Sequence, residues 1–109
     1  MTTRDSRNLG AVLENLVYLE LLRRGYRVFI GQTGEYEIDF VAETDKQRIY
    51  LQVSLTLLDE KTAEREFRPL SILQDNYPKY VLSLDTLDLS REGIRHLSAE
   101  RFLMGEPIS

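Results

Sequence analysis

Glu37-Ile38-Asp39-Phe40-Val41-Ala42, followed by Ile49-Tyr50-Leu51-Gln52-Val53-Ser54, decides how this chain is read. Each stretch reads as a strand, and each carries a polar side chain where packing alone would favour an apolar one. Side chains alternate along a strand, so Glu37, Asp39, Val41 and Glu43 share one face, while Ile38, Phe40 and Ala42 share the other. In the second strand Arg48, Tyr50, Gln52 and Ser54 share a face. If Thr44-Asp45-Lys46-Gln47 is a four-residue hairpin connection, Glu43 pairs with Arg48. Antiparallel register then sets Asp39 opposite Gln52 and Glu37 opposite Ser54. Opposed side chains lie roughly 4.5–5.5 Å apart at Cβ, close enough for two of them to grip one small cation.

Working outward, residues 9 to 24 predict a helix, because good helix formers dominate and Gly25 stops it. At about 100° per residue, Glu14 falls among Ala11, Val17, Tyr18, Leu21 and Leu22, within the apolar arc. Leu13 and Leu16 fall on the other side, and are expected to contact another domain or subunit. Tyr26 to Ile30 is a short strand, and Gly31-Gln32-Thr33-Gly34 a loop. Asp59 caps a second helix, with Ala63, Phe67, Leu70 and Leu73 on one stripe and Pro69 kinking it or starting a new turn. Tyr80 to Leu84 is nearly all apolar, as suits an interior strand covered on both faces. Ile94 to Leu97 is a last strand, and Ser98 caps a terminal helix through Met104. The expected order is α-β-β-β-α-β-β-α, in one domain over residues 1–109 without linker or internal repeat.

The composition narrows the function. A chain of 109 residues buries roughly two-thirds of its unfolded surface, enough for a core without staples. It has no cysteine, which excludes disulfides and thiolate zinc sites. MTTRDSRNLG has no apolar h-region and no long apolar run follows, so a cytoplasmic protein without a membrane span is expected. A net charge of -4 argues against sequence-independent nucleic-acid binding by bulk attraction, though Arg23-Arg24-Arg27 and Arg65-Arg68 are local basic clusters. No Gly-x-x-x-x-Gly-Lys-Ser/Thr loop occurs, so no P-loop ATP site is expected. His96, the single histidine, lacks metal-ligand spacing to any partner and reads as structural.

Asp39 and Gln52 on one sheet face, with Glu14 on the first helix, would form an oxygen-rich pocket for Mg²⁺ or Mn²⁺ if that helix packs on that face. Glu14, Glu37 and Asp39 would then be close like charges, with carboxyl pKa values raised unless a cation neutralises them.

The blocks LENLVYLELLRRGY, EIDFVAE, IYLQVS, TAEREFRPL and DNYPKYVLSLD resemble the uncharacterised domain found at the C-terminus of a group of bacterial and archaeal AAA+-type P-loop ATPases. That domain in turn resembles the PD-(D/E)XK, or restriction-endonuclease-like, superfamily. The resemblance runs from about Leu9 to Leu103. It implies an α/β fold with an αβββαβ core, a mixed central sheet flanked by helices, and a C-terminal helix. It also implies that Glu14, Asp39 and Gln52 are metal ligands. Ser54 then stands where the family carries a lysine that would orient the attacking water and stabilise charge on phosphorus. Lys61 or Arg65 could supply a migrated cation.

Three functions follow as expectations: a degenerate nuclease-type domain, associated with a P-loop ATPase, that binds nucleic acid or protein; an active Mg- or Mn-dependent DNA nuclease; or a protein-interaction module.

Overall fold

The computed structural model describes residues 6–108. Helix α1 (Ser6–Arg23) leads into β1 (Arg27–Thr33), β2 (Tyr36–Glu43) and β3 (Arg48–Val53). Helix α2 (Glu60–Ser71), β4 (Lys79–Ser83), β5 (Arg95–Ser98) and α3 (Ala99–Leu103) follow. The five strands form one mixed sheet in the order β1-β2-β3-β4-β5. The first three make an antiparallel meander, whereas β3-β4 and β4-β5 are parallel pairs. The element order is the one expected, and no helix among the described residues is long and apolar enough to cross a membrane.

Strand alternation feeds two cores. Leu13, Val17 and Leu21 of α1 pack with Ala99 and Phe102 against Phe40, Leu51 and Leu82 on one sheet face. On the other face Ala63, Phe67 and Leu70 of α2 pack against Val41, Tyr50 and Val81. β4 is covered on both sides, as its apolar run predicts. Asp59 caps α2 through a bond from the Thr62 N–H, and Ser98 caps α3. Pro69 is absorbed within the last turn of α2.

Three expectations are corrected. First, β1 continues through Gly31-Gln32-Thr33, where a loop was expected. The β1-β2 register shifts where Asp39 and Phe40 of β2 stand opposite the single residue Ile30, and Gly31 suits the adjoining position because a Cβ there would lie 2.7 Å from Val41 Cγ2. Second, Leu13 belongs to the core at 6% exposure, and only Leu16 of the expected contact pair is exposed. Third, Gln52 lies on the side of α2, where it donates to the Glu66 carbonyl, and the strict alternation expected for β2 is interrupted at Asp39-Phe40. Ile38 and Val41 both pack on the face that α2 covers, whereas Phe40 and Ala42 pack on that of α1, so Ile38 does not share their face as expected.

A candidate cleft between the helices and the end of the β2-β3 pair

The β2-β3 register runs Glu43↔Arg48, Ala42↔Ile49, Val41↔Tyr50 and Phe40↔Leu51, as the four-residue connection predicts. The ladder ends there, and Glu37 instead pairs with Gln32 of β1. Beyond Phe40 the strands are joined by side chains. The Asp39 N–H donates to Gln52 Oε1 at 2.7 Å, and the Val53 N–H donates to Asp39 Oδ2 at 2.9 Å. Gln52 Nε2 donates to the Glu66 carbonyl of α2 at 3.1 Å. Gln52 is 4% exposed, so its amide ties β2, β3 and α2 together from inside. Ser54 Oγ donates to the Thr56 carbonyl at 2.9 Å.

Next to this clasp lies a cleft of about 520 Å³, lined by Glu14 of α1, Ser54 and Thr56 after β3, and Thr62, Arg65 and Glu66 of α2. Glu14 also borders a second hollow with Tyr18 and Phe40, so it forms the ridge between the two. Although α1 and α2 cover opposite faces of the sheet, their carboxylates approach each other around the open end of the β2-β3 pair. Burial pushes the Glu14 carboxyl up, and Asp39 adds to it. Asp39 is also pushed up by burial, against the pull of the Val53 N–H, with Glu37 reinforcing the rise.

Glu66 is the residue that sequence reasoning missed. Its carboxyl is pushed up to about 7, first by burial and then by Asp39, with a smaller push from Glu14 and an opposing pull from Arg65. The available signal was its place three residues after Ala63 and four before Leu70, at the margin of the buried stripe. Arg65 stands 3.8 Å from Glu66 and is the cation in the cleft lining. Lys61 is exposed and absent from that lining.

The residues fit a bound cation only in part. The oxygen of Gln52 already accepts a backbone N–H, and among the described residues no group of three or more His, Asp or Glu side chains is arranged to hold a metal. None of their buried side-chain polar atoms lacks a hydrogen-bond partner.

A second polar cluster, Ser83, His96 and Asp85, superficially suggests an activated serine. The Leu89 N–H donates to His96 Nδ1, so the proton is on Nε2, which donates to Ser83 Oγ at 2.7 Å. Ser83 in turn donates to Asp85 Oδ2 at 2.7 Å. Proton donation thus runs from imidazole to hydroxyl to carboxylate, opposite to the direction that makes a serine nucleophilic. With Ser83 fully buried, this cluster fastens the β4-β5 connection.

Comparison with known proteins gives a family without an assigned activity. A protein of Haemophilus influenzae described as uncharacterised is 41% identical over 76 residues, covering 70% of this chain and 18% of its own length. The uncharacterised protein MJ1544 of Methanocaldococcus jannaschii is 39% identical over 67 residues, covering 58% of this chain and 15% of its own. The chain thus spans less than a fifth of the length of these curated relatives. No solved structure matches it significantly. Residues 9–102 match the domain of unknown function DUF4143, which takes in α1 from Leu9 onward and every strand, and the chain belongs to that family.

Proposed function

We propose that this is a restriction-endonuclease-like domain whose catalytic step has become structural, and that it works by contacting protein as the accessory part of a P-loop ATPase. The observation that carries the reading is Gln52: both polar atoms of its amide are engaged by backbone groups of β2 and α2. A side chain used in this way holds the fold closed. Ser54, at the lysine position of the motif, directs its hydroxyl to a neighbouring carbonyl. Arg65 is the cleft's one basic side chain among the described residues, beside Glu14 and Glu66, which disfavours a phosphate backbone. The ATPase association is supported by the resemblance of the sequence blocks and is consistent with the greater length of the relatives.

A second reading, a Mg- or Mn-dependent nuclease, is favoured by Glu66, which adds a carboxylate near Asp39 and Glu14. Incubation with single-stranded and branched DNA separates the two readings. The expected result is no cleavage with Mg²⁺ or Mn²⁺; Mn²⁺-dependent cleavage that disappears in Asp39→Ala would overturn the degenerate reading.

A further inference from the structure

The outer side of α1 is chemically unlike the rest of the surface. Between Asn8 and Leu22 none of the exposed residues is charged, in a chain that is 29% charged. Glu14 is half-buried at the cleft, and Glu20 is buried against Arg23 and Arg24. Leu9, Val12, Leu16 and Leu19 are 44%, 56%, 44% and 50% exposed. Their spacing of three, four and three residues places them on one stripe, away from the buried row Leu13, Val17 and Leu21. This is the spacing of a helix-pairing seam, in which each side chain enters a gap between those of a second helix.

We propose that this stripe is a homodimer interface in which α1 packs antiparallel against α1 of a second copy. The spacing reads the same in both directions. A two-fold axis between Val12 and Leu16 therefore sets Leu9 against Leu19 of the other copy and Val12 against Leu16, so all four acquire an apolar partner. Identical copies with a net charge of -4 repel, and an uncharged stripe is where that repulsion is least. Four apolar side chains about half exposed make a patch of a few hundred Å² on each copy. Together with the flanking Asn15 and Leu22, two such patches approach the roughly 1,000 Å² of total buried area that a specific interface needs. The proposal deepens the protein-contact reading by naming the partner, but it does not depend on the chemistry of the cleft.

Sedimentation velocity on the full chain over about 1 to 500 µM should find a monomer-dimer equilibrium. Leu16→Lys should weaken it about tenfold or more while leaving the circular dichroism spectrum and melting temperature of the monomer in place, because Leu16 is outside the core. The chain has no cysteine, so introduced thiols report register directly. Leu9→Cys mixed with Leu19→Cys should cross-link as a mixed pair in preference to either variant with itself. A monomer throughout the concentration range, a dimer indifferent to Leu16→Lys, or self-cross-linking of Leu9→Cys in preference to the mixed pair would each overturn the proposal. Cleavage activity, with or without dimerisation, would bear on the degenerate reading alone.

Discussion

Glu66→Gln should make the protein more stable at pH 8 and flatten its dependence on pH. The carboxyl has a folded-state value of about 7 against an ordinary value of 4.5, because it is buried beside Asp39 and Glu14. With its pKa raised on folding, Glu66 contributes stability that is fully present below about pH 4.5 and is lost as pH rises through about 7. A shift of this size corresponds to roughly 3 kcal/mol. The Glu66 side chain is 15% exposed, so solvent screening removes only part of that figure. Glutamine keeps the shape, carries no charge and also relieves Asp39 and Glu14. Urea unfolding at pH 5 and pH 8 measures the effect. Wild type should lose on the order of 2–3 kcal/mol between these conditions, beyond what Glu66→Gln loses. At pH 8 the variant should melt about 10 °C higher. If the two proteins share one pH profile, the carboxylates do not confront one another as described.

Two further substitutions probe the frame around the cleft. Gln52→Leu should cost about 2 kcal/mol in urea unfolding, because the buried Asp39 N–H loses its acceptor and α2 loses a tie to the sheet; an unchanged midpoint would show that the clasp contributes nothing. Gly31→Ala should cost about 1–3 kcal/mol, since its Cβ would meet Val41 Cγ2 at 2.7 Å and Ile38 Cβ at 3.0 Å; a variant that melts at or above the wild-type temperature would contradict the close packing beside the β2 bulge.

The β2-β3 hairpin was legible in the sequence because two alternating strands separated by four polar residues have few competing registers. The caps at Asp59 and Ser98 were legible for a local reason, since each hydroxyl or carboxylate answers an N–H three residues on. Which face of α1 is buried was not. Apolar residues surround that helix, from Val12, Leu13 and Leu16 to Val17, Leu19, Leu21 and Leu22, so periodicity selects no single side. Strand parity alone could not foresee the irregularity at Asp39-Phe40, which puts Ile38 and Val41 on one face, nor say which helix covers Gln52. Glu66 was obscured for the same reason: in Glu64-Arg65-Glu66 it looks like one more solvated charge until the sheet face beneath it is known.

The ion cluster at the end of α1 reaches across the limit of the family match. Arg24 pairs with Glu20, lies 4.2 Å from the centre of the Phe102 ring, and donates to the carbonyls of Phe102 and Glu106. The family match ends at residue 102, so similarity marks a boundary inside this cluster. A chain trimmed at that boundary would keep every strand yet lose one of the two carbonyls that receive Arg24. The contacts that fasten the end of α1 thus continue past the family match, to the Glu106 carbonyl.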